Sequence, residues 1–290
     1  MNLIQSLNNG DSLIMVVQFA VNQATLMKTP METFLESCAA AGFTGVELRR
    51  DETFEYLKSH SVSELKQCLD KLHLKVVSWN AIELFSLCSE KDFKNMLEYT
   101  ERLMKLGNQI GCDLIIAVPS FLPDSKFPAD QTVSKTVERF QVLRKLAYKY
   151  KFRMGFEPLG PPTNSVRKIN DALQIIEKAE ADGLPKSGLV IDTFHYFVGE
   201  HAAAELAKVP KDRLWLVHFN DCVKKPLDKL QDADRVWPGL GFFDLKGFVE
   251  SMKKIGYDGY VSLELFNPAY WKEDPGKAMK TGFAAVKTYF

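Results

Sequence analysis

Eight short, almost continuously apolar runs recur along the chain, and each is followed by a longer amphipathic stretch. The runs are rich in Val, Ile and Leu and cover residues 15–21, 45–48, 74–79, 113–118, 153–156, 188–191, 214–217 and 260–263. Strands that are buried on both faces have this continuous pattern, whereas half-exposed antiparallel strands alternate apolar and polar residues. The pattern therefore predicts a parallel sheet that is covered by helices.

The stretches between the runs have helical periodicity over residues 31–41, 62–72, 93–110, 133–150, 172–181 and 245–255. A glycine follows four of these helices, as expected where a helix ends in a left-handed residue: Gly42, Gly111, Gly183 and Gly256. No linker divides the chain. We therefore predict a single (β/α)8 TIM barrel over residues 13–290, preceded by an N-terminal extension, residues 1–12.

Composition excludes several function classes. The 290 residues include 37 Lys and Arg against 37 Asp and Glu, so no net charge attracts nucleic acid or an anionic membrane. No apolar run approaches the ~18 residues that span a bilayer. The five cysteines are scattered without a CxxC pair, which is typical of a protein of the reducing cytoplasm. The sequence leaves a homo-oligomer open.

Four potential metal ligands, Glu157, Asp192, His218 and Glu264, stand at the ends of the last four runs. Because successive strands of a barrel are neighbours, these side chains are expected to converge above it. Three carboxylates and one imidazole suit one divalent ion, whether Mn²⁺, Zn²⁺, Co²⁺ or Mg²⁺. A single carboxylate after a strand is also a common helix cap. Three buried together, however, require a counter-ion.

Further polar and aromatic residues stand at the ends of the first three runs, after the sixth run, or in the longer of two long connections, 81–92 and 219–243. We predict that six of them contact the substrate: His195, Arg235, Asn22, Glu47, Trp79 and Asn80. Asp221 is predicted to orient a metal ligand from behind. Packing, capping or surface roles remain open for each. A polar ring with an aromatic wall would fit a polyhydroxylated ring better than an apolar ligand.

A divalent ion beside two glutamates is suited to moving a proton next to a carbonyl, with Glu157 and Glu264 as the acid and base. The substrate would pass through an enediolate that the ion stabilises. Return of the proton to the neighbouring carbon shifts the ketone, and return on the opposite face gives an epimer. Loss of a β-hydroxyl would instead give a dehydrated product. The residues alone leave these three outcomes open.

Six stretches carry a resemblance to a known family: Asn22-Gln23-Ala24-Thr25, Val46-Glu47-Leu48-Arg49, Ala117-Val118-Pro119, residues 188–195, residues 234–239 and residues 261–266. Over nearly its whole length the chain resembles the xylose-isomerase-like barrels, and within them the inosose isomerases. The resemblance implies the same four metal ligands, and implies that His195 and Arg235 meet the substrate.

The chain also departs from two branches of that family. Ketose 3-epimerases have a second glutamate where this chain has Thr163. Endonuclease IV has extra histidines where this chain has Asn80, Pro119 and Val236, so a three-metal nuclease site cannot be assembled.

The expected function is thus a metal-dependent isomerase of a cyclic polyol ketone that interconverts inososes. Ketose 3-epimerase and inosose dehydratase are the alternatives that use the same site. A non-catalytic barrel that binds a sugar is the alternative from another class.

Overall fold

A computed structural model describes residues 15–122 and 129–290. Eight parallel strands close into a barrel in which β1 pairs with both β2 and β8. In chain order, β1 to β8 are Gln18–Asn22, Gly45–Arg49, Lys75–Ile82, Leu114–Ala117, Arg153–Phe156, Gly188–Asp192, Leu214–Phe219 and Tyr260–Leu263. The predicted barrel is confirmed. The predicted extension, residues 1–12, lies outside the described residues.

Ten α-helices are present in the described part of the chain. In order, α1 to α10 are Met31–Ala41, Arg50–Tyr56, Val62–Lys71, Glu90–Ile110, Ala129–Lys149, Ile169–Ala179, Thr193–Val198, Ala203–Leu206, Leu245–Ile255 and Pro275–Lys287. The sequence pattern did not predict α2, α7, α8 and α10. Helix α4 begins earlier than predicted because the Ser89 side chain accepts a hydrogen bond from the backbone N–H of Asp92 and caps the helix.

The glycines that were predicted to follow helices adopt the left-handed conformation. Gly42 has φ 107°, and an added Cβ would lie 3.0 Å from the Phe283 ring. Gly111, Gly183 and Gly256 have φ between 71° and 82°. The chain can therefore turn from helix to strand at these points without the steric penalty that other residues would carry.

The apolar core forms two layers. A small cluster fills the barrel interior and includes Ala20, Val77, Leu114, Ile116, Val190 and Leu216. A much larger cluster packs between the barrel and its surrounding helices. Because apolar side chains fill the interior, the polar residues at the carboxyl ends of the strands collect above it, where barrel enzymes hold their active sites.

No helix in the described ranges is long and apolar enough to cross a membrane.

Candidate active site

Four side chains from adjacent strands meet at the carboxyl end of the barrel. Glu157 follows β5, Asp192 ends β6, His218 lies on β7, and Glu264 follows β8. Asp192 and His218 are paired in register on neighbouring strands. One ligand atom from each of the four lies within 4.8 Å of every other, and all four residues are buried. The expected convergence of these residues is therefore present.

The electrostatics of this cluster call for a cation. His218 Nδ1 lies 3.0 Å from Glu157 Oε1, 3.4 Å from Glu264 Oε2 and 3.9 Å from Asp192 Oδ2. Burial raises the pKa of Glu264 to about 8, although His218 and Arg235 oppose that shift. Three buried carboxylates around one imidazole nitrogen fit a divalent ion with oxygen and nitrogen ligands.

Glu47, predicted to contact substrate, lies behind His218 instead. It is fully buried, and its Oε1 is 3.1 Å from His218 Nε2. It also accepts hydrogen bonds from the hydroxyls of Ser78 and Ser262. Burial disfavours its charge, but His218 and these hydroxyls hold the pKa of Glu47 below its usual value. An ionised Glu47 keeps the proton on Nε2, which leaves Nδ1 free to bind a metal ion.

Two asparagines hold Glu264. Asn22 Nδ2 donates to Glu264 Oε1 at 2.9 Å, and Asn80 Nδ2 approaches the same oxygen at 3.3 Å. Asn22 is fully buried and its Oδ1 caps the turn that follows β1 by accepting from the Ala24 N–H. Asn80 also lines the cavity. Asn22 thus positions Glu264 from below, whereas Asn80 is placed to touch a ligand.

The expected aromatic wall from Trp79 is not formed. The Trp79 indole is 1% exposed and packs outside the barrel, where an added Cβ on Gly107 of α4 would lie 2.7 Å from its Nε1. The register between β3 and β4 shifts beyond Trp79. Because every residue of β3 after Lys75 is buried, the sequence of the strand could not show which way Trp79 points. Phe266, which follows Glu264 by two residues, lines the cavity instead.

Asp221 was predicted to orient a metal ligand, and the structure gives it another role. Its two oxygens accept hydrogen bonds from the backbone N–H groups of Cys222, Gly239, Gly241 and Phe243. It thereby fastens the long connection after β7.

The residue that the sequence reasoning missed here is Asn220. Its Nδ2 donates to Asp192 Oδ2 at 3.1 Å. Its place directly after a strand, beside a recognised ligand, was the signal that could have found it.

Arg235 and His195 lie where the sequence predicted, beside the ligand cluster and in the cavity wall. Arg235 Nη1 donates to Asp192 Oδ2 at 2.7 Å and to Glu264 Oε2 at 2.9 Å. Burial disfavours the charge of Asp192, but Arg235 and two histidines hold the pKa of this carboxyl below its usual range. Asp232, missed in the sequence, accepts from Arg235 Nη2 at 2.6 Å and fixes the guanidinium.

A cavity of about 320 Å³ opens above the cluster, which lies at the small end of the range for ligand sites. One part of its wall is polar, and the remainder is apolar, with Leu84, Val118, Phe121, Leu159 and Phe266. Among the described residues, two that line it have a buried polar atom without a partner, His195 Nδ1 and Asn164 Oδ1. Both atoms are shielded by the protein, so a ligand would meet the other polar groups of the wall, which include Asn80, Glu157, Arg235 and Glu264. A small, partly polar molecule therefore fits this cavity.

Comparison with known proteins gives a consistent picture. An inosose isomerase of Bacillus licheniformis is 30% identical over 94% of this chain and 99% of its own length. A crystal structure of the IolI protein with a bound zinc atom superposes with a TM-score of 0.88, at 28% identity, over 94% of this chain and 99% of that one.

A 3-dehydroshikimate dehydratase of Pseudomonas putida is 26% identical over 81% of this chain but only 36% of its own length. The model of the xylose isomerase-like TIM barrel family matches residues 35–289, nearly the whole chain. This protein therefore belongs to the xylose isomerase-like TIM barrel family.

Proposed function

We propose that this protein is a divalent-metal-dependent isomerase that interconverts inososes, which are cyclic polyol ketones. The observation that carries the proposal is the cluster of Glu157, Asp192, His218 and Glu264 at the base of a small cavity. The size of the cavity and its partly polar wall suit a six-membered ring with several hydroxyls. The 30% identical relative named inosose isomerase supports this choice of substrate.

The four clustered residues would hold the ion, which when bound polarises the ketone and the adjacent hydroxyl and so acidifies the C–H between them. Glu157 and Glu264 line the cavity, and in this proposal they act on that C–H. One carboxylate removes the proton from the hydroxyl-bearing carbon. The hydroxyl proton passes to the former carbonyl oxygen. The same carboxyl group or the other one then returns the first proton to the former carbonyl carbon. The ketone thereby moves by one position and no atoms are lost.

The surrounding residues position both carboxylates and the substrate. Asn22 and Asn80 bind one oxygen of Glu264 and leave the other directed towards His218. Arg235 can balance negative charge that develops on the substrate oxygens, because its guanidinium is fixed by Asp232. His195 lines the cavity beside Arg235 and would meet a substrate hydroxyl there.

The test is proton NMR in D₂O of the metal-loaded protein with 2-keto-myo-inositol. Deuterium uptake beside the ketone, together with a second inosose, is the expected result. Glu157→Gln should lower kcat by about 10²- to 10⁴-fold, the usual contribution of a general acid or base. Glu36→Gln, on the exposed side of α1, is the matched control and should leave the rate unchanged.

The other outcomes separate the alternatives. Deuterium uptake without formation of a second inosose would indicate that the substrate is another ketone. Assays with a panel of ketoses would then identify a 3-epimerase. Loss of water from the inosose would indicate a dehydratase. If the protein binds the inosose but catalyses no deuterium exchange with any of the four ions, it is a non-catalytic sugar-binding barrel.

A further inference from the structure

Arg49 is a cation of the cavity wall that the mechanism above does not use. It ends β2, lines the cavity, and its side chain is 19% exposed. Its guanidinium lies over the Phe266 ring, 5.3 Å from the centroid. This cation–π contact leaves the N–H groups of Arg49 available for polar partners.

The polar partners of Arg49 hold it loosely. Its Nη1 lies 3.3 Å from Asn80 Oδ1, its Nη2 3.3 Å from Glu83 Oε1, and its Nε 4.0 Å from Glu52 Oε2. Arg235 in the same cavity has three carboxylate contacts between 2.6 and 2.9 Å. Guanidinium groups that are firmly paired with carboxylates have such shorter distances. Arg49 can therefore exchange a protein contact for a substrate oxygen.

Glu83 balances the positive charge of Arg49 in the cavity wall. Its side chain is 49% exposed, and it lines the cavity beside Arg49. The pair is neutral as a whole, so a hydroxyl oxygen can accept a hydrogen bond from Arg49 without moving a charge. A substrate carboxylate would also meet the repulsion of Glu83 in a partly desolvated cavity, where such repulsion is stronger than in water.

We propose that Arg49 binds a substrate hydroxyl beside Asn80 in the cavity, and that Glu83 makes the cavity prefer neutral polyol ketones to cyclic keto acids. The inference rests on the proposed function, because it assigns the substrate of that same site. Specificity here is a difference between two affinities, and the like charge of Glu83 lowers the affinity for the acid.

Calorimetric titration of the metal-loaded protein tests this with two probes, 2-keto-myo-inositol and 3-dehydroshikimate, a cyclic keto acid. Glu83→Gln should improve the binding of the acid relative to the inosose by about tenfold. This is the effect of removing one like charge a few ångströms away in a medium between water and protein. Glu52→Gln, which removes a carboxylate near Arg49 but outside the cavity lining, is the matched control and should shift the ratio much less.

Arg49→Met should weaken the binding of both probes, and Arg49→Lys, which keeps the charge, should restore part of it. The lysine variant also provides the test if the methionine variant does not fold. An unchanged ratio in Glu83→Gln, or unchanged affinities in both Arg49 variants, overturns the inference even if inosose is turned over. If the wild type instead converts only the acid, the proposed function fails, and so does the proposed preference for neutral polyol ketones. The Arg49 variants would still report on ligand binding. Binding of neither probe rejects both.

Discussion

The two ring nitrogens of His218 face different carboxylates. Nδ1 faces Glu157 and Glu264, while Nε2 lies 3.1 Å from the buried carboxylate of Glu47. A carboxylate behind a ligating histidine fixes the tautomer and raises the basicity of the nitrogen that binds the metal.

Glu47→Gln should therefore weaken zinc binding by about 10- to 100-fold, the usual effect of losing such a partner. The neutral amide oxygen accepts from the Nε2 proton more weakly than the carboxylate does. Competition with a chelator of known affinity measures the change, and Glu36→Gln serves again as the control. Zinc affinity equal to that of the wild type would contradict the orienting role of Glu47.

At the scale of elements, the connection after β7 depends on one aspartate. Asp221 accepts four backbone hydrogen bonds from within this connection, at distances between 2.8 and 3.1 Å. The same connection carries Arg235 and Asp232 into the cavity. The order of this loop and the position of the arginine are thus coupled.

Asp221→Asn should loosen the loop, because the amide has one accepting oxygen where the carboxylate has two. We expect faster amide hydrogen exchange over residues 239–243, a higher KM, and unchanged exchange in α9. Asp228→Asn, on an exposed side chain of the same connection, is the control. Unaltered protection of residues 239–243 would show that other contacts hold the loop.

An ion pair between two elements, Arg144 and Asp182, allows a prediction of how stability depends on pH. Buried Arg144 of α5 donates to Asp182 Oδ1 at 2.9 Å, and Asp182 lies between α6 and β6. The hydrogen bond from Arg144 is the main cause that lowers the pKa of Asp182.

The folded state therefore favours the ionised form of Asp182. The stabilisation from this pair is complete above the unfolded pKa of about 3.9 and is lost as the pH falls through the lower folded value. Urea unfolding of the wild type and Asp182→Asn should show a stability difference at pH 6 that narrows below about pH 4. A difference that stays constant down to pH 3 would assign the effect to packing.

For the whole molecule, the proposed metal site joins the ends of four strands of one closed barrel. An ion that binds the folded state alone stabilises it by about 2.7 kcal/mol at a free concentration one hundred times its dissociation constant. Because the ligands come from β5 to β8 and unfolding separates them, zinc should raise the melting temperature and EDTA should reverse the rise.

The Glu157→Gln variant should show a much smaller rise, since one of the ligands is lost. Differential scanning calorimetry with and without zinc measures both shifts. A shift of equal size in the variant would place zinc elsewhere on the protein.

Much of this architecture could be predicted because strand order and polarity are local properties. The apolar runs marked the strands, and a polar residue at the end of each of the last four runs marked the ligands. The directions in which individual side chains point could be predicted less well from the sequence. Glu47 lies within β2 and Asp221 lies just beyond β7, yet Glu47 binds His218 and Asp221 binds loop backbone as far away as Phe243. These partners are too distant in sequence for a local pattern to reveal them.

The sequence by itself determined the barrel and the convergence of the four residues of the proposed metal centre. Strands buried on both faces need continuous apolar runs, and successive strands of a barrel are neighbours. Only the tertiary structure decided that Trp79 packs outside, that Glu47 holds His218, and that Arg49 lies beside Glu83. These facts depend on the register shift between β2 and β3 and on loops that meet across the cavity. Such contacts arise between residues far apart in the chain, and their geometry is fixed only when the barrel closes.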